Sequence, residues 1–101
     1  MPYSRPPEQR RPREYTPSYL AWIRAQPCCV CGGINVEAHH PRVNSIEHGS
    51  NPGTGQKADD RWALPLCHHH HVEAHKGERE FWASLGIDPH QMALRYQVMV
   101  R

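Results

Sequence analysis

The apolar positions of this chain fall in short clusters separated by proline- and glycine-rich breaks, and their period changes along the sequence. In "TPSYLAWIRAQ", Tyr19, Leu20, Trp22 and Ile23 form a stripe at helical spacing. Thr16 is placed as its N-cap, Pro17 as its first residue and Pro27 as its stop. "CCVCGG" reads as a tight, glycine-closed turn. In "INVEAHH", Ile34, Val36 and Ala38 alternate with other residues, the period of a strand. "RWALPL" is a second short extended stretch. Between them, residues 41–60, "PRVNSIEHGSNPGTGQKADD", predict a long loop, and loops of this kind in a compact domain are usually functional or disordered. Three helices follow: residues 68–76, ended by Gly77; "EREFWASLG", closed by Gly86; and "IDPHQMALRYQVMV". The last opens on Asp88 as N-cap and Pro89 as first residue, with Gln91 completing a capping-box pattern. Trp22, Trp62, Phe81 and Trp82 are assigned to the core, because few other large apolar residues exist to fill it. The order of elements is that of a small α+β domain.

Composition changes this picture in one respect. The chain has 101 residues, 38% of them hydrophobic, with a single Phe, which is lean for a domain held by apolar burial alone. A structural metal would offset that deficit. The start of the chain lacks the apolar stretch of a signal peptide, and no run of about 18 apolar residues suggests a membrane helix. A cytoplasmic setting is therefore expected, where four clustered cysteines read as metal ligands rather than disulfides. The net charge of +2 is uneven: residues 1–13 carry +3 and the remainder −1. Residues 1–15 read as a basic arm, either a solvated disordered tail or a loose phosphate contact.

Cys28 and Cys31 form C-x2-C, and Cys67 and His70 form C-x2-H. Each pair can reach one ion from one side, and together they make a closed zinc site of three sulfurs and one nitrogen. Ordinary buried cysteines or a redox pair are the alternative, although a redox pair normally sits at a helix N-terminus in a βαβ unit, which this sequence lacks. Cys29 is a spare thiol. His39 and His40 end a strand and so point to opposite sides. His71 and His75, four apart on a helix, share one face. His39, His71 and His75 would make an open three-histidine site able to polarise a substrate oxygen, leaving His40 as a general base near neutral pH. His68 and His69 have no assigned role, with His68 able to compete for the open site. Each piece has an ordinary reading alone, as a surface histidine pair or a chance H-x3-H.

Taken in order, "CCVCG", "VEAHH", "GTGQKADDRWALPLCHHHHVEAH" and "FWASLGIDP" resemble the HNH, or ββα-metal, endonuclease superfamily, and within it the phage-associated group of RecA-dependent Ref-like nucleases. The resemblance spans about residues 18–90. It implies a ββα-metal, treble-clef-like core with a zinc knuckle and flanking helices, residues 16–101 being one nuclease domain. It implies that His40 activates water, that His39, His71 and His75 hold a catalytic Mg²⁺, Mn²⁺ or Zn²⁺, and that Cys28, Cys31, Cys67 and His70 hold the structural Zn²⁺. DNA is the implied substrate, a recombinase filament a possible partner by family, and a phage or prophage in a bacterial host the implied source. One position departs from the pattern: the family's middle Asn has no clear equivalent. Asp60 is assigned its role of orienting His40, with Asp59 and Asn51 as alternatives and a simple turn residue as the plain reading. Lys57, inside the matched stretch, together with Arg61 and Arg42, are candidate phosphate contacts, and Lys76 and Arg79 could touch flanking phosphates. For each of these an ordinary surface charge is as good a reading.

Two other classes compete. A non-catalytic zinc module binding nucleic acid or a protein would need the knuckle but not His39, His40, His71 and His75. A metalloprotease fails on spacing, since H-V-E-A-H places Glu73 third rather than second.

Overall fold

The structure is a computed structural model that describes residues 15–45, 47–48 and 58–100. The basic arm up to residue 14, the Gly-rich loop 49–55, Asn51 and Lys57 lie outside the described residues. An α+β arrangement results, with helices α1 (Pro17–Arg24), α2 (His68–Lys76), α3 (Glu78–Leu85) and α4 (Pro89–Met99) around strands β1 (Val36–His39) and β2 (Leu64–Cys67). No helix among the described residues is long and apolar enough to cross a membrane.

The two strands pair antiparallel, Val36 opposite Cys67 and His39 opposite Leu64. This register places the start of β1, just after the cysteine turn, beside the end of β2, where α2 begins. Pro65 is tolerated because a two-stranded sheet has only edge strands; its carbonyl accepts a hydrogen bond from the Cys29 N–H at 2.9 Å. Leu64, Leu66, Trp62, Ala74, Trp82 and Ala93 meet in the core, so β2, α2, α3 and α4 share one apolar centre, with Val36 of β1 packed against it. Ile23 of α1 is also fully buried.

Several local expectations are corrected. Strand β1 starts at Val36 rather than Ile34: Asn35 takes a left-handed φ of 61°, and Ile34 is left 80% exposed. Arg61 and Trp62 belong to a short 3-10 turn, Asp60–Trp62, not to an extended stretch. Thr16 does stand at the N-cap of α1, its carbonyl accepting from the Leu20 N–H at 3.1 Å, but its side chain makes no cap, and its backbone N–H donates to Asp60 Oδ2 at 2.6 Å. Trp62 and Trp82 are core residues, but Trp22 and Phe81 are only partly buried. Trp22 packs edge-on against Tyr96 of α4.

The helix ends follow local chemistry. Gly86 adopts φ 67°, and the N–H groups of Gly86 and Ile87 bond the carbonyls of Ala83 and Trp82, a Schellman ending that needs a residue free to turn left-handed. Asp88 caps α4, accepting from the N–H groups of His90 and Gln91. The reciprocal half of the capping box does not form, because the Gln91 side chain turns to His48 Nε2 at 3.1 Å. Asp88→Ala is expected to cost about 1 kcal/mol through the lost cap, read as a lower denaturant midpoint with unchanged bound metal.

Candidate functional site

The knuckle is built by backbone turns. Gly32, at φ 75°, donates its N–H to the Cys28 carbonyl at 2.8 Å, and Cys28 N–H donates to the Gly33 carbonyl at 3.0 Å. A Cβ on Gly33 would sit 3.2 Å from Cys31 Sγ, so a side chain there would crowd the sulfur. Across the strand pair, Cys67 ends β2 and His70 lies in the first turn of α2. His70 Nδ1 is 3.2 Å from Cys67 Sγ and 3.7 Å from Cys28 Sγ, and the Cys31 and Cys67 sulfurs are 3.8 Å apart. Metal bonds of about 2.3 Å to sulfur and about 2.0 Å to nitrogen place the corners of a tetrahedron about 3.5 to 3.8 Å apart. The cluster Cys28, Cys31, Cys67 and His70 can therefore hold a zinc ion, and all four donor atoms lie within 4.8 Å of one another.

Charge makes the same point. Burial pushes the Cys28 thiol up, but hydrogen bonds from the backbone at Cys67, Cys31 and Val30 and from the His70 side chain outweigh it and bring the thiol down to about 6. At Cys31 the backbone at Gly33 favours the thiolate, yet desolvation and the thiols of Cys28 and Cys67 prevail and raise its pKa. Neighbouring sulfurs cannot all ionise without a cation between them. Cys29 stands apart, pushed up to about 12 by burial and by Cys28.

The second cluster joins His39, from the end of β1, to His71 and His75 on α2. The His39 ring lies edge-on to both, with centroids 5.1 Å and 5.6 Å away. His71 and His75 bring their Nε2 atoms within 3.1 Å of each other, close to the edge of about 3.3 Å for two nitrogens on one tetrahedral ion. His39 Nε2 bonds Glu78 Oε2 at 2.7 Å, and His39 Nδ1 is buried with no hydrogen-bond partner. A buried ring nitrogen without a partner is costly, and a metal ligated by His39 Nδ1, His71 Nε2 and His75 Nε2 would satisfy it. Burial lowers the pKa of His75, and the positive fields of His71, His39 and Arg42 lower it further, which favours the neutral, ligating ring.

His40 turns away from this cluster. Its Nε2 bonds Asp60 Oδ1 at 2.9 Å, and the Asp60 carboxylate is 1% exposed, its other oxygen holding the Thr16 N–H. The structure thus brings the assigned base and its assigned partner together. Asp59 instead lies 3.9 Å from the Arg61 side chain.

Two carboxylates at the histidine cluster were not singled out from sequence. Glu37 bonds His71 Nδ1 at 2.6 Å and His68 Nδ1 at 3.0 Å. His68 is thus drawn to Glu37 rather than into the cluster. Glu78, in the first turn of α3, accepts from His39, from Trp82 Nε1 at 2.9 Å and from the Arg42 N–H at 2.9 Å. The signal for Glu37 was its place two residues before His39, on the same face of a strand; Glu78 offered none beyond an acid at a helix start. His69 is exposed and contacts only the His70 ring among the described interactions. Of the candidate cations, Arg61 lies 5.2 Å over the Trp62 ring, Arg42 and Arg79 are exposed, and Lys76 pairs with Glu73.

A family model described as "Protein of unknown function (DUF968)" matches residues 2–99. The chain is 41% identical over 66 residues to the uncharacterized protein YdfU of Escherichia coli (strain K12), a match that covers 65% of this chain and 18% of that protein. The chain thus spans about a fifth of the length of this relative. No solved structure matches.

Two outcomes test the knuckle. Cys31→Ala or Cys67→Ala should release zinc and abolish the cooperative melt, whereas His71→Ala should keep both. Zinc ligation needs the thiolates, and acid competes for them, so zinc should be released as pH falls and the cooperative melt should be lost with it, both following one midpoint.

Proposed function

We propose that this chain, which belongs to the DUF968 family, is a metal-dependent endonuclease that hydrolyses DNA phosphodiester bonds. The observation that carries this reading is the buried, partnerless His39 Nδ1 in a cluster with His71 and His75, with the His40–Asp60 pair on the next residue. The strand pair running without a break into α2 supports a ββα-metal core. The knuckle supports a separate structural Zn²⁺.

His39, His71 and His75 would hold the divalent ion, which would supply Lewis-acid stabilisation of the charge that builds on the phosphate. The protein's own part is proton transfer and positioning. Asp60 accepts a hydrogen bond from His40 Nε2–H, which leaves Nδ1 as the basic nitrogen. That nitrogen takes a proton from water as the water oxygen bonds to phosphorus in line. The bond from phosphorus to the 3′-oxygen breaks, and a proton from solvent completes the 3′-hydroxyl, leaving a 5′-phosphate on the other end. Arg42 and Arg61 are the candidate contacts to flanking phosphates. A buried carboxylate behind the base both fixes the tautomer and stabilises the imidazolium that forms.

A plasmid-nicking assay with Mg²⁺, Mn²⁺ or Zn²⁺ tests this reading. His40→Ala should lower the rate on the order of 10²- to 10⁴-fold, and Asp60→Asn should lower it less, both with zinc content unchanged and a cooperative melt retained. Equal cleavage by wild type and His40→Ala would refute the base. DNA binding without cleavage by any form would point to a non-catalytic zinc module.

A further inference from the structure

Glu78 is the point where three parts of the fold meet. Its side chain is 9% exposed. One oxygen, Oε2, accepts from His39 Nε2 at 2.7 Å and from Trp82 Nε1 at 2.9 Å. The other, Oε1, accepts from the Arg42 backbone N–H at 2.9 Å. Trp82 Nε1–H and the Arg42 N–H can only donate, so each oxygen already accepts from one fixed donor; with Glu78 a carboxylate, its ordinary form at neutral pH, both oxygens are acceptors and His39 Nε2 must be the donor. Trp82 anchors α3 in the core, and Arg42 is in the segment leaving β1. The carboxylate is therefore held from two sides before it meets His39.

We infer that Glu78 is a positioning residue of the three-histidine centre, fixing His39 as its Nε2–H tautomer so that the lone pair on buried Nδ1 faces the divalent cation. The inference rests on the metal-binding part of the reading above, not on cleavage. A tautomer with the proton on Nδ1 would leave two acceptors, His39 Nε2 and Glu78 Oε2, facing each other at 2.7 Å and would turn an N–H towards the ion. The hydrogen bond also raises the basicity of the ligating nitrogen. Glu78→Gln cannot reproduce the arrangement: with one oxygen and one NH₂, it must set a donor against either the Arg42 N–H or His39. The NH₂ facing His39 would favour the wrong tautomer.

The test uses the full chain with its knuckle loaded with zinc and Mn²⁺ as probe, since manganese favours nitrogen and oxygen ligands over thiolates. Free Mn²⁺ is counted by electron paramagnetic resonance, and the His39 ring nitrogens are read by ¹⁵N NMR without Mn²⁺ at mildly alkaline pH. The wild type should show the proton on His39 Nε2. Glu78→Gln should move it towards Nδ1 and weaken Mn²⁺ binding about 10- to 100-fold. In a His39→Ala background the same substitution should have no further effect. A wild-type proton on Nδ1, unchanged affinity in Glu78→Gln, or an equal loss in the His39→Ala background would each overturn the inference. The wild-type NMR result stands even if a variant fails to fold. Mn²⁺ binding that depends on Glu78, in a protein that never cuts DNA, would remove the nuclease reading and leave this one.

Discussion

Cys28, Cys31, Cys67 and His70 bring three sulfurs and a ring nitrogen into one coordination sphere from the two sides of the strand pair. Without a cation, desolvation and sulfur–sulfur repulsion oppose ionisation at Cys31 even while hydrogen bonds favour it at Cys28. The remaining elements are small. Two four-residue strands and helices of eight to eleven residues are marginal in isolation. A structural zinc contributes an apparent binding energy of about 10 kcal/mol or more, comparable with the whole stability of a domain this size. A zinc-loaded knuckle would thus hold β1 and β2 in register as much as the ladder does.

That register then sets the second cluster. With Val36 opposite Cys67, β1 runs away from the knuckle and delivers His39 beside Leu64, while α2 runs back along the sheet from Cys67. His70, in the first turn, faces the sulfurs. His71 is turned about 100° further round the helix and, with His75 one turn on, faces His39. Neighbouring residues on one helix belong to separate clusters because the helical rotation separates their directions. Ala74 lies between them on the buried face, where a larger side chain would lift α2 from the sheet.

What could be read from sequence was whatever depended on local spacing. C-x2-C, C-x2-H and the i, i+4 pair His71 and His75 are short-range geometry, and the opposed directions of His39 and His40 follow from strand alternation. The Asp60 assignment rested on resemblance, and the structure supplies its contact through a buried 3-10 turn that "ADDRW" did not announce. Ile34 failed because apolar alternation ignores a left-handed Asn35 at the entry to the strand. Glu78 was out of reach for a different reason. Its role depends on how α3 leaves α2 at Gly77 and folds back beneath His39, a long-range placement for which an acid at a helix start carries no distinctive sign.

The two carboxylates behind the histidine cluster are unequal, and the inequality gives the site a direction. Glu78 is buried and acts on a ring that is 1% exposed; Glu37 is 44% exposed and shares its oxygens between His71 and an exposed His68. A charge–dipole contact in the core is screened little, whereas one at the surface is screened by water. The nitrogens differ too. His39 has its free nitrogen nearer the backbone, at Nδ1, while His71 and His75 bring their Nε2 atoms together from the helix. The strand side is therefore closed and held by the core, and the helix side is open. His75, the exposed member of the cluster, also feels the positive charge of Arg42.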